Sequence, residues 1–218
     1  MRTANEEEFM KLYGYFRSSA SYRVRIALNL KGIAYEQTSI HLTSGAHTKD
    51  EFRRVNPQTR VPVLELDDGT RLLQSQAIIE YLDEIHPEPP LLPRDPLARA
   101  KVRALSQIIV ADIHPLNNAG TLAYLRKKLG HDEDAVNAWY AYWITEGFNA
   151  IEPLIEGTHF CFGDRPGLAD TCLIPQVANA RRFNVDLTAY PKIVAIDAHC
   201  LTLPAFADAR PDVQPDAT

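Results

Sequence analysis

Pro87-Glu88-Pro89-Pro90-Leu91-Leu92-Pro93-Arg94-Asp95-Pro96 divides the chain in two. Five prolines in ten positions remove backbone donors and fix φ, so this stretch neither continues a helix nor sits inside a sheet. It reads as a linker over 87–96, and the hydrophobic pattern differs on its two sides. Upstream, Leu12–Phe16 is a short aromatic run fit for a strand, and Ser21–Lys31 places Val24, Ala27 and Leu28 on one helical face, with Gly32 where a C-cap belongs. Ala34–Ile40 is β-like again. A polar loop over His41–His47 and a short helix near Lys49–Arg54 follow. Val61–Leu66 and Thr70–Leu73 flank Asp67-Asp68-Gly69 as a hairpin, and Ser75 is expected to N-cap a helix carrying Ile78, Ile79 and Leu82 inward. Downstream, helical spacing predominates over Leu97–Leu129 (with a kink expected at Pro115), Glu133–Ile155, Leu168–Phe183 and Lys192–Leu203. The expected class is α/β plus all-α: an α/β domain over 10–86 and a helical domain over 97–218. Residues 1–9, before Met10, are set aside as an N-terminal extension.

The 218 residues are 45% hydrophobic and 23% charged, an ordinary globular composition. Lys plus Arg number 23 against 28 acids, a net charge of −5, so no global basic field draws nucleic acid or an anionic membrane. The start lacks the apolar core of a signal peptide, and no run approaches the roughly 18 apolar residues of a membrane span. Cys161, Cys172 and Cys200 have no metal-finger spacing and read as reduced thiols of a cytoplasmic protein, with no metal expected.

Three short segments carry candidate chemistry. Arg17-Ser18-Ser19-Ala20-Ser21 joins the first strand to the first helix, where free N–H groups and the positive dipole end favour an anion. A serine there equally well simply caps the helix. Val61-Pro62, opening a strand, fits either a cis bond, with the Val61 backbone presented to a ligand strand, or an ordinary trans start. Gln74-Ser75 is a second helix start suited to a carboxylate, or again a plain cap. In the helical half, Asp112–Asn118 sets His114 and two asparagines beside Pro115, as a groove lining or as structural polar groups. Arg181-Arg182 closes a helix, where cations suit the dipole whatever their function. No HExxH, P-loop, GxGxxG or GxSxG occurs.

In combination these segments resemble one family. Ser18-Ser19-Ala20-Ser21-Tyr22-Arg23-Val24-Arg25-Ile26-Ala27-Leu28 is similar to the signature of zeta-class glutathione transferases, the maleylacetoacetate isomerases. So are Gln74–Leu82 and Pro175–Phe183, and the likeness runs from about Met10 to Asp216. The resemblance implies the glutathione transferase fold, a thioredoxin-like N-terminal domain with a helical C-terminal domain, and glutathione as cofactor. On that basis Ser18 activates the thiol with Ser19 beside it, and Val61 pairs with the cysteinyl part. Gln74 and Ser75 hold the γ-glutamyl carboxylate, and His47 meets the glycyl end. His114 and Asn118 contribute from the second domain, while Arg17 and Arg182 grip the carboxylates of a small cis-diacid. Two departures stand out: Ala20 replaces the family's frequent Cys, and Gly167 replaces a Ser or Thr that would share a capping box with Asp170.

The implied reaction is cis–trans isomerisation of 4-maleylacetoacetate to 4-fumarylacetoacetate in tyrosine and phenylalanine catabolism. A free thiol of this kind has a pKa near 8.5, so stabilising its thiolate is the first task of such a site. The rivals are maleylpyruvate isomerisation in gentisate catabolism, transferase activity on α-haloacids, and a non-enzymatic interaction protein on the same scaffold. Ala119-Gly120 after the asparagine pair favours the longer diacid, because the shorter one suits additional cations there. A homodimer is expected from the family alone.

Overall fold

The computed structural model describes residues 9–217, so the expected extension, apart from Phe9, lies outside the described residues. By Cα proximity the chain forms two compact units, Met1–Pro89 with Pro204–Thr218, and Pro90–Leu203. The first division falls between Pro89 and Pro90, within the proline-rich stretch. The last segment differs from expectation: from Pro204 onward it groups with the first unit, not with the helices that precede it in sequence.

The first unit is built on a four-stranded sheet of order β2-β1-β3-β4. The strands are β1 (Lys11–Gly14), β2 (Glu36–Ser39), β3 (Val63–Glu65) and β4 (Arg71–Leu73). β1 and β2 are parallel, which requires a crossover, and α1 (Ser19–Lys31) supplies it. Gly32 ends α1 in the left-handed region at φ 65, where a side chain is disfavoured. β3 is antiparallel to both neighbours, and the Asp-Gly hairpin joins it to β4. α2 (Asp50–Val55) buries Phe52, and α3 (Ser75–Ile85) buries Ile78, Ile79 and Leu82 as its spacing predicts.

α1 departs from a one-faced amphipathic helix, because every residue from Ser19 to Leu28 is buried. It packs against α3 and also against α10 (Pro204–Ala207) of the returning tail, so its second face is covered too. Arg23 and Arg25, at 1% and 0% exposure, lie inside as a result. Two polar ties hold α1 to α3. Arg23 Nη1 donates to Ser75 Oγ at 3.4 Å near their starts, and Lys31 Nζ pairs with Asp83 at 2.6 Å near their ends.

The second unit is helical: α4 (Pro96–Gln107), α5 (His114–Asn117), α6 (Ala119–Lys127), α7 (Glu133–Leu154), α8 (Leu168–Arg182) and α9 (Pro191–Cys200). The helix expected over Leu97–Leu129 is broken rather than simply kinked. Residues Ile108–Ile113 form a π segment in which the His114 N–H reaches Ile109 O. Proline has no N–H to offer the preceding turn, and a wider turn before it accommodates that loss. Asn118 then starts a new helix. Gly147 of α7 faces this segment, and a Cβ there would sit 2.1 Å from Ile113 Cδ1, so any larger residue would force the buried Ile113 side chain to move. Among the described residues, no helix is long and apolar enough to cross a membrane.

Candidate active site

Strand directions bring the first unit's candidates to one edge. Tyr13, Val63 and Leu73 share one row across β1, β3 and β4. Beyond that row β1 runs out into Gly14–Ser18, β3 is entered through Val61-Pro62, and β4 runs out into Gln74-Ser75. β2 ends at the same edge, where Ile40 N donates to Gly14 O at 2.7 Å, and its continuation leads to His47. Two antiparallel steps therefore make one rim from segments far apart in sequence. The Val61–Pro62 bond is cis. Val61 packs with Tyr15, Phe16, Phe52 and Val63 beneath the rim.

Ser18 is the N-cap of α1. Its Oγ accepts from Ser21 N at 3.2 Å, and its own N–H donates to Tyr15 O at 2.9 Å, which closes a turn. The capping bond uses an oxygen lone pair and leaves the hydroxyl proton to be donated. Cap and thiol activation, alternatives in the sequence, are thus compatible in one atom. Ser19 is buried in the first turn, and Arg17 is exposed with its guanidinium carbon 4.9 Å from the Phe16 ring centre. Ala20, also buried, leaves no thiol in that turn.

At α3 the cap differs from expectation. Gln74, not Ser75, occupies the N-cap position, with φ 69, ψ 116 and no side-chain cap. A glutamine at positive φ is strained by about 1–3 kcal/mol and marks a place where the surrounding structure dictates the backbone. Its Nε2 donates to Gln58 Oε1 at 2.9 Å, and Thr59 beside Gln58 also has positive φ, at 55. Ser75 is the first helical residue; its hydroxyl accepts from Arg23, and its N–H belongs to the uncapped first turn. Nothing in the sequence singled out Gln58, since only the fold brings it beside Gln74. His47, in the 3₁₀ turn Ala46–Thr48, has its pKa depressed by burial, and its Nδ1 is buried without a partner.

In the second unit, Asn118 Oδ1 accepts from Gly120 N and Thr121 N at 2.9 and 3.0 Å, while Nδ2 donates to Pro115 O at 2.8 Å. Its side chain is therefore largely spent on the start of α6. His114 opens α5 just beyond the π segment and is half-buried. The two C-terminal arginines of α8 separate in role. Arg181 pairs with Asp197 at 2.7 Å, whereas Arg182 is exposed, 4.9 Å from the Phe183 ring centre. Phe183 stacks on Tyr140, whose phenol is pushed up to about 12 by burial despite the nearby Arg182 charge. The three cysteines are buried and form no disulfide, and burial raises the Cys161 and Cys200 thiols, so neither is a nucleophile at neutral pH.

The donor set on the first unit's rim fits a γ-glutamyl-cysteinyl peptide. An uncapped helix start suits a carboxylate, the Val61 backbone at the entry to β3 suits an extended peptide, and a serine with a spare proton suits a sulfur anion. Comparison with known proteins agrees. The family described as glutathione S-transferase, N-terminal domain, matches residues 12–90. The chain is 53% identical to maleylpyruvate isomerase of a Ralstonia species over 95% of this chain and 100% of that protein. It is 49% identical to maleylacetoacetate isomerase of Pseudomonas aeruginosa over 95% and 98%. Among solved structures, a holo maleylpyruvate isomerase described as a bacterial zeta-class glutathione transferase superposes with a TM-score of 0.93 at 51% identity, covering 95% of this chain and 100% of that one. A maleylacetoacetate isomerase from Methylobacterium extorquens AM1, with bound malonate and glutathione, gives 0.92 at 40% identity, covering 95% and 99%. With this similarity along nearly the whole chain, the protein belongs to the zeta-class glutathione transferases, the maleylacetoacetate isomerase family.

Proposed function

We propose that the protein is a glutathione-dependent cis–trans isomerase converting 4-maleylacetoacetate to 4-fumarylacetoacetate in tyrosine and phenylalanine catabolism. The carrying observation is the single rim on which Ser18, Val61-Pro62 and Gln74-Ser75 converge. When bound, glutathione supplies a thiolate that adds to the conjugated cis double bond, allows rotation, and is released unchanged. Ser18 donates its hydroxyl proton to the sulfur while its oxygen stays on Ser21 N, and the first turn of α1 adds its dipole. Val61 offers its backbone to the cysteinyl part, the first turn of α3 takes the γ-glutamyl carboxylate, and Gln58 holds the Gln74 side chain for that contact. His47, neutral because burial depresses its pKa, is assigned to the glycyl end. His114 and Asn118 are assigned to the same ligand, Asn118 through its remaining amide hydrogen and local backbone.

Arg17 and Arg182 are assigned to the diacid. A guanidinium matches a carboxylate bidentately and offsets charge that builds on the substrate's carbonyl oxygen. With Ala20 in the first turn, the chemistry rests on serine assistance and needs no enzyme thiol. A homodimer in the cytoplasm completes the reading.

Maleylpyruvate isomerisation is the second reading, favoured by the 53% identity with the Ralstonia enzyme; Ala119-Gly120 argues for the longer diacid. Turnover of the two substrates at matched concentrations, with and without glutathione, separates them. The proposal predicts glutathione-dependent turnover with maleylacetoacetate preferred. Preference for maleylpyruvate assigns the protein to gentisate breakdown, and absence of turnover with either overturns the isomerase.

A further inference from the structure

We propose that the C-terminal tail positions the loop carrying Arg17 and Ser18, with Asp216 and Arg25 as the positioning residues; the inference rests on the reading of Ser18 as thiol-activating. The tail returns to the first unit after the whole helical unit has intervened, and it meets the rim at one residue, Phe16. Phe16 N donates to Asp216 Oδ2 at 3.2 Å, and Phe16 O accepts from Arg25 Nη2 at 3.1 Å. Both polar groups of the residue two before Ser18 are therefore fixed from outside their own turn. The Ser18 N to Tyr15 O bond transmits that placement to the cap.

Each clamp residue is itself held. Arg25 is fully buried and donates through Nε to Ala209 O at 2.9 Å, so one guanidinium joins the loop to the tail. Burial lowers its pKa only to about 10, and it stays cationic at neutral pH. Asp216 also accepts from Gln37 Nε2 at 3.2 Å, which ties the tail to β2. Ala217 packs on the cluster of Tyr15, Phe16 and Val61 beneath the rim. Further up, Asn29 Nδ2 donates to Ala205 O at 3.0 Å and Tyr22 OH to Phe206 O at 3.4 Å, anchoring the tail along α1. Gln214 Nε2 bridges Asp208 O and Arg210 O at 2.8 Å each, giving the tail a fixed shape before it reaches Asp216.

A tail serving only as a cover for α1 would need the upper contacts alone. The Asp216–Phe16–Arg25 arrangement instead acts where a small shift redirects the Ser18 hydroxyl, and hydrogen-bond donation to an anion falls steeply with misalignment.

The test is the ionisation of glutathione bound to the full-length protein, followed by thiolate absorbance against pH, together with glutathione affinity by calorimetry and thermal unfolding. Wild type is measured first. Bound glutathione with no thiolate at neutral pH overturns the reading of Ser18 itself, before any variant is compared. With that signal present, Asp216→Ala raises the bound thiol's pKa by about one unit, a tenfold drop in the thiolate-to-thiol ratio at any given pH, and weakens glutathione binding. Asp216→Asn restores most of both, since its Oδ1 can take the Phe16 N–H while its amide meets a flipped Gln37. Gln37→Ala, which leaves Phe16 and Asp216 in place, shifts the pKa in the same direction by less and serves as the readout where Asp216→Ala does not fold. An unchanged bound-thiol pKa in folded Asp216→Ala or in Gln37→Ala overturns the positioning role. So does an equal loss of thermal stability in the Ala and Asn variants with ionisation untouched.

Discussion

The starts of α1 and α6 look alike in sequence and differ in what they leave over. Both follow a residue the sequence marks as functional, and both residues are N-caps with extended backbone. Ser18 accepts one backbone N–H and keeps its proton; Asn118 accepts two and commits an amide hydrogen as well. A cap residue is free for chemistry to the extent that the cap leaves donors unused: Ser18 keeps its hydroxyl proton, whereas Asn118 keeps only its second amide hydrogen. α8 is a third variation. Gly167 brings no side chain, and the buried Asp170 accepts from Gly167 N at 2.8 Å and Cys161 N at 2.7 Å.

The largest expected effect separates the first two starts. Ser18→Ala lowers kcat/KM for the isomerisation by about 10²–10³-fold, the loss of one preorganised donor. Its stability cost is only about 1 kcal/mol, that of a missing cap. A stability loss with little kinetic change would make Ser18 a cap like any other.

The next effect concerns Asp170, whose carboxyl is raised from 3.8 to about 6 by burial, against the opposing pull of its backbone donors. The folded protein binds this proton more tightly than the unfolded chain does. The stabilisation it brings is full below pH 3.8, declines as pH rises, and is gone above about 6. At 1.36 kcal/mol per unit that is roughly 3 kcal/mol. Unfolding free energies of wild type and Asp170→Asn, compared at low and neutral pH, measure it. The wild-type advantage shrinks as pH rises; a growing advantage reverses the assignment.

Asn118→Ala costs about 1 kcal/mol through α6, with a smaller kinetic penalty than Ser18→Ala. Denaturant unfolding and kcat/KM on the same preparation decide whether the two starts differ as described. The smallest effect is at α8. Cap preference alone would credit Gly167→Ser with a few tenths of a kcal/mol. A Cβ there, however, falls 2.9 Å from the Leu91 carbonyl, so the variant is expected to lose up to about 1 kcal/mol in thermal unfolding.

The alternation of short strands and helices before the prolines, and the helices after them, were legible because they rest on local periodicity and on proline's missing donor. Gly32 and the Asp-Gly hairpin were legible for the same local reason. Contacts distant in sequence were not. Periodicity gave α1 one buried face, and the second is covered by a tail nearly two hundred residues away, whose Ala209 carbonyl takes the buried Arg25 guanidinium, while Arg23 is buried toward Ser75 of α3. Ser75 looked like the cap of α3, but Gln74 holds that position with its side chain bonded to Gln58, which only the folded sheet brings alongside. The three rim segments were singled out by their local sequence and given roles by resemblance; that they share one end of the sheet is a matter of strand direction.

The most direct test is isomerisation of maleylacetoacetate by wild type and Ser18→Ala, each with and without glutathione. Turnover that requires glutathione and falls at least about a hundredfold in the variant is the predicted result. Turnover independent of glutathione, or undiminished in a folded Ser18→Ala protein, would contradict it.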